Sequence, residues 1–121
     1  MLPRNISGED MPPASDLDLL QGTLDVLVLK AIAWGPRHGY AVARWIRDTS
    51  DEALTVEDRA LYVALHRLEG RGWVGAEWGL SENNRKAKYY HLTTEGRRQL
   101  RAEAARWTRY AEAVFKILHA T

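Results

Sequence analysis

The last quarter of the chain constrains the fold most. From Thr93 onward there is no proline, and no glycine beyond Gly96, so about 25 residues ending near His119 read as one helix roughly 40 Å long. Leu100, Ala104, Trp107, Ala111, Val114 and Leu118 follow one another at spacings of 4, 3, 4, 3 and 4, which is the seam of a coiled coil. The rest of a 121-residue chain is too short to cover that seam. A second copy is the expected cover, giving a homodimer interface of these six residues with Leu20 and Leu24. The alternative is a terminal helix folded back over its own domain.

Upstream, three more helices and a hairpin are legible. From Leu17 the residues Leu20, Leu24, Leu27, Val28, Ala31 and Ile32 mark one helix face, and Leu19, Val26, Leu29 and Ala33 fill in more of the circumference, so that helix is expected to be buried on more than one side. Gly35-Pro36 ends it. A second helix, Gly39 to Asp48, carries Val42, Trp45 and Ile46 on one stripe, and a third has Thr55 as its expected N-cap and Leu61, Leu65 and Leu68 at helical spacing. After Gly70 and Gly72 the period changes to two: Val74, Ala76 and Trp78 alternate with Trp73, Gly75 and Glu77, and later Tyr90 and Leu92 with Tyr89 and His91. That pattern predicts a hairpin with its tip over Ser81 to Lys88. The expected fold is mainly α with a small β-hairpin (α+β), in three parts: a disordered arm over 1–16, with Pro3, Pro12 and Pro13; a winged helix-turn-helix domain over 17–92; and a C-terminal dimerisation helix over 93–121.

Composition excludes several classes. There is no cysteine, which removes disulfide scaffolds, thiolate zinc sites and cysteine nucleophiles. The most apolar stretch, Leu17 to Trp34, is interrupted by Asp18, Gln21, Asp25 and Lys30, and nothing at the start of the chain resembles a signal peptide, so a cytoplasmic protein is expected. His38, His66, His91 and His119 lack any close ligand spacing, and Gly70-Arg-Gly72-Trp-Val-Gly75 follows a helix rather than a strand, the wrong context for a dinucleotide site. With no assembled nucleophile and base, neither an enzyme nor a cofactor or metal site is expected.

Charge is segregated along the chain. Through Asp58 there are five basic and ten acidic residues, net −5; from Arg59 onward there are twelve basic and six acidic, net +6. A basic half suits a polyanionic partner or a solvated face. The order of elements narrows this, because in a winged helix the third helix enters the major groove of double-stranded DNA and the hairpin reaches an adjacent groove or backbone. Opposite Leu61, Leu65 and Leu68 the third helix presents Arg59, Tyr62, Val63 and His66, with Arg67 beside them, side chains able to meet base edges and phosphates. The hairpin tip adds Asn84, Arg85, Lys86 and Lys88, and His38 and Tyr40 stand where the second helix would cross the backbone. These eleven residues are the candidate DNA-binding set. The rival class is a winged-helix module that binds another protein.

Gln21-Gly-Thr-Leu-Asp-Val-Leu-Val-Leu, Gly35-Pro-Arg-His-Gly-Tyr40, Leu61-Tyr-Val-Ala-Leu-His-Arg-Leu-Glu-Gly-Arg-Gly72 and Lys88-Tyr-Tyr-His-Leu-Thr-Thr-Glu-Gly96 together resemble the PadR family of bacterial transcriptional regulators, over about Leu20 to Leu100. The resemblance implies dimeric winged-helix proteins, mostly repressors, that pair through terminal helices on inverted-repeat operators. Some relatives look like sensors of planar aromatic compounds. In this chain Trp107 between the small Ala104 and Ala111 would form such a slot, or else plain dimer core. One departure stands out. Where the family usually has a small Gly-Ser or Gly-Thr pair before the Leu-Tyr of the third helix, this chain has Arg59-Ala60 preceded by Glu57 and Asp58.

Overall fold

The computed structural model describes residues 21–121. The elements are α1 (Gln21–Ala31), β1 (Arg37–His38), α2 (Gly39–Thr49), α3 (Asp58–Gly70), β2 (Val74–Leu80), β3 (Lys86–Leu92) and α4 (Thr94–Leu118). The expected arm over 1–16 and Leu20 of the expected dimer face lie outside the described residues.

α1 is apolar almost all round, so it can only sit at the centre. Leu24, Val26, Val28, Leu29, Ala31 and Ile32 are all buried, and α2, α3 and α4 pack around them. Val42 and Ile46 come in from α2, Leu61, Ala64, Leu65 and Leu68 from α3, Val74, Tyr90 and Leu92 from the strands, and Leu100 from α4. Each fully buried leucine here contributes on the order of 2 kcal/mol relative to leaving it in water. Two residues expected at the dimer seam are corrected by this arrangement: Leu24 is 6% and Leu100 9% exposed. The first turns of α4 lie on α1 of the same chain, so that end of the seam is consumed inside the domain.

The start of α3 is a second correction. Thr55 does not cap it, because Leu54 and Val56 on either side pack against the core and the helix begins only at Asp58. Its N-cap is Glu57, which makes no side-chain capping bond. Asp58 in the first turn compensates in part through the helix dipole.

Among the described residues the sheet has three strands, not two. β1 joins it antiparallel in the order β1-β3-β2, with Arg37 opposite Tyr90 and His38 opposite Tyr89. In β2 and β3 the pairs run from Val74 opposite Leu92 to Leu80 opposite Lys86. β3 therefore extends into the expected tip, leaving residues 81–85 between the strands, with Glu82, Asn83 and Asn84 inside the Ser81–Arg85 hydrogen bond. Ser81 donates its N–H to Arg85 at 2.8 Å, and Asn84 donates to Ser81 at 2.8 Å with φ 61°, the left-handed position that asparagine tolerates in a three-residue hairpin loop.

α3 and α4 are tied together at one end. Gly72, at φ 78°, lets its own N–H reach Glu69 at 3.0 Å and that of Trp73 reach Leu68 at 3.1 Å, closing α3 in a Schellman turn. The Thr93 hydroxyl donates to the Gly72 carbonyl at 2.7 Å and accepts from the Gly96 N–H at 2.9 Å, capping α4.

Candidate nucleic-acid interface

The four buried residues of α3 leave the opposite side of that helix to solvent. Arg59, Tyr62, Val63 and His66 are all exposed there. Arg67 is not with them. Its guanidinium reaches back to Asp25 of α1, 2.5 Å from the carboxylate, and Arg71 approaches the same carboxylate at 3.7 Å. Asp25 sits in α1 facing α3 and is the buried charged side chain among the described residues, so it draws in the nearest cations and removes Arg67 from the groove-facing set.

α2 is held against α3 by a close approach. A Cβ on Gly39 would stand 2.6 Å from the Tyr62 hydroxyl, so only glycine lets the Tyr62 ring rest on the first turn of α2. His38 caps that turn, its Nδ1 accepting from the Ala41 N–H at 3.2 Å, which leaves the proton of the neutral ring on Nε2. Its ring stacks against Tyr40 at 6.4 Å and meets the edge of Tyr89 at 5.5 Å. Tyr40 is exposed, with the Arg44 guanidinium 5.1 Å from its ring centre.

The wing closes the other side. β1 anchors α2 to β3, and the result is an open cleft of about 680 Å³ bordered by His38, Tyr40, Arg44, Tyr62, Trp78 and Lys86. Lys88 also lines it but is partly committed, 3.5 Å from Glu69 of α3. Among the described residues Arg85 and Lys86 have no ion-pair partner, and both are exposed. The phenol of Tyr90 at the base of the cleft is held above its ordinary pKa, first by burial and then by Tyr62 and Glu69 nearby.

The structure thus brings His38, Tyr40, Tyr62, Lys86 and Lys88 to one cleft, puts Arg59, Val63 and His66 along the adjoining helix face and Asn84 and Arg85 at the wing tip, and turns Arg67 away. Sequence reasoning missed Arg44 and Trp78. Arg44 stands four residues after Tyr40 and was legible as its neighbour on one helix face; Trp78 was read as strand, with nothing in the alternation to mark it as exposed.

The terminal helix supplies a second feature. The Trp107 indole N–H donates to the Thr23 hydroxyl of α1 at 2.9 Å. Two apolar hollows flank that ring, about 420 Å³ and 330 Å³; Ala104 borders the larger and Tyr110 the smaller, and Ala111 borders neither. Further along, Phe115, Ile117 and Leu118 are exposed and Val114 half-buried. No helix among the described residues is long and apolar enough to cross a membrane, and no three histidine, aspartate or glutamate side chains among them converge as metal ligands.

This architecture has close counterparts. A PadR family transcriptional regulator from Eggerthella lenta is 34% identical, with a TM-score of 0.68, covering 84% of this chain and 86% of its own. A transcriptional regulator from Clostridium thermocellum is 27% identical, with a TM-score of 0.71, over 79% of this chain and 93% of that one. An uncharacterised protein of Lysinibacillus sphaericus is 27% identical over 97 residues, 80% of this chain and 89% of its own length. Residues 28–102 match the transcriptional regulator PadR-like family, a family of regulators and not of enzymes, and the chain belongs to it.

Proposed function

We propose that this chain is a cytoplasmic, homodimeric repressor that binds a pseudo-palindromic operator in double-stranded DNA, with half-sites one or two helical turns apart. The observation that carries the reading is the exposed α3 face of Arg59, Tyr62, Val63 and His66 standing beside a wing whose Arg85 and Lys86 are free of ion pairs among the described residues. α3 enters the major groove, where Arg59 can donate to a guanine edge and the Val63 methyls can meet a thymine methyl. Lys86 and Arg85 neutralise phosphates, and Tyr40 and Arg44 lie along the strand that crosses α2. Arg59 takes the place of the small family pair at the helix start. Asp58 serves the dipole of α3 and is kept off the phosphates by that role.

In this reading residues 17–92 are the DNA-binding head, 93–121 the pairing helix and 1–16 an arm. The pairing surface is the α4 flank of Ala104, Trp107, Ala111, Val114 and Leu118. A planar aromatic effector fits between the two Trp107 indoles, and it releases DNA if it prefers a head spacing that the operator does not match.

Fluorescence anisotropy on a labelled duplex carrying the DNA upstream of the protein's own coding region, against a scrambled duplex at low and moderate salt, tests the reading. Preferential, salt-sensitive binding is the expected result. Absence of binding to either duplex at the lowest salt defeats it and favours the protein-binding module instead.

A further inference from the structure

The alternation of β2 puts Ala76, Trp78 and Leu80 on one face of the wing, and their partners across the hairpin are Tyr90, Lys88 and Lys86. That face looks toward α3, since Lys88 reaches Glu69 and Tyr90 enters the core. Yet Trp78 and Leu80 are each 66% exposed. A large apolar side chain left on solvent at the edge of a charged cleft is commonly an interaction surface. Cations stand close to it: the Lys86 ammonium is 5.8 Å from the indole centre, and Arg44 lines the same cleft. Of the carboxylates nearby, Glu69 is paired with Lys88, Glu77 points to the other face of the hairpin by alternation, and Glu82, at the tip, itself lines the cleft.

From this juxtaposition we infer that Trp78 is itself a DNA contact: its indole packs against the deoxyribose faces of the strand that runs between α3 and the wing, with Leu80 continuing the apolar strip. This rests on the DNA-binding reading above. A sugar-phosphate strand is apolar on its sugars and anionic on its phosphates, and this edge of the cleft offers both surfaces, the exposed Trp78 and Leu80 beside the Lys86 ammonium. Lys86 would then bridge the ring and a phosphate, held over the indole by cation–π attraction before DNA arrives. A contact of this kind neutralises no phosphate, so it contributes affinity without salt dependence.

Anisotropy titrations of the full chain, wild type beside Trp78→Ala, Trp78→Phe and Lys86→Ala, on the upstream and scrambled duplexes across a salt series separate the possibilities. Expected is an affinity loss of about five- to twenty-fold for Trp78→Ala with the slope of log K against log salt unchanged, and a slope shallower by about 0.9 for Lys86→Ala. As an independent readout, duplex should quench tryptophan emission of the wild type and quench it measurably less in Trp78→Phe, which decides the matter should Trp78→Ala not fold. If the wild type binds duplex and Trp78→Ala binds equally well, the inference falls while the DNA-binding reading stands. If Trp78→Ala alters the salt slope, or dissociates the protein into monomers in sedimentation, the indole acts through Lys86 or through a protein contact and the inference is overturned. If the wild type binds neither duplex at the lowest salt, both readings fall together.

Discussion

Asp25 of α1 and Arg67 of α3 form an ion pair of 2.5 Å between the central helix and the one that carries the candidate groove-facing residues. The carboxylate side chain is 10% exposed and the guanidinium 23%, so the pair is screened much less than a surface salt bridge. Breaking such a pair from one side leaves a partly buried charge without its partner, and the remaining solvent access reduces the penalty.

Asp25→Ala should therefore destabilise the fold by about 2 kcal/mol in urea unfolding. Arg67→Ala should lose stability by a similar amount yet keep the wild-type salt slope of DNA binding, because Arg67 meets a carboxylate and not a phosphate. A shallower slope for Arg67→Ala with unchanged stability would return that residue to the DNA-contacting set.

The same pair marks where sequence reasoning reaches its limit. The helical face of α3 was legible because its buried leucines fix the opposite side by period alone, but period cannot say that a long side chain at the edge of that face will be captured by a carboxylate 42 residues upstream. β1 was illegible for a related reason: two residues after Gly35-Pro36 offer no alternation, and only their pairing with Tyr89 and Tyr90 makes them a strand. The cleft depends on that strand, which explains why its residues were readable one by one and its shape was not. Thr55 failed as a cap because its neighbours Leu54 and Val56 answer to the core, a tertiary demand that overrides local capping preference.

Two glycines with tight surroundings should respond in opposite ways. Gly96 lies on the Trp73 carbonyl, 1.9 Å from where a Cβ would stand, and backbone there cannot yield while Thr93 caps the helix. Gly96→Ala should cost about 3 kcal/mol, although alanine in a helix is otherwise favoured by roughly 1 kcal/mol over glycine. At Gly39 the obstacle is the end of the half-exposed Tyr62 side chain, which can swing away. Gly39→Ala should thus melt within about 1 kcal/mol of wild type while weakening duplex binding several-fold, through displacement of Tyr62. Equal melting losses in the two variants would contradict the difference in their neighbours.

Tyr90 makes a prediction in alkali. Burial, with Tyr62 and Glu69 adding to it, raises its phenol above the usual value near 10. Between the unfolded and folded pKa values the native state binds more protons than the unfolded chain, so stability is full below about pH 10 and falls as pH climbs through the folded value. Tyr90→Phe should match wild type at pH 7 and lose less stability than wild type above pH 10. Parallel losses in the two proteins through that range would show that another group governs the alkaline transition.

The outer half of α4 carries the last prediction. Leu100 is spent on the core, so the proposed pairing would rest on the seam beyond it, where Trp107 is 44% and Leu118 72% exposed. Leu118→Glu with Val114→Glu places two carboxylates on that flank in each copy, and sedimentation should show monomers whose far-UV spectrum is unchanged, because neither residue belongs to the domain core. Trp107 differs, since its N–H already engages Thr23. Trp107→Ala should leave the proposed dimers mostly intact, cost about 1 kcal/mol of stability, and abolish the quenching of tryptophan emission that the proposed slot predicts for the wild type with a flat polycyclic such as acridine. Collapse of the dimer in Trp107→Ala would instead assign the indole to the interface core, and quenching that persists would place the aromatic compound elsewhere on the protein.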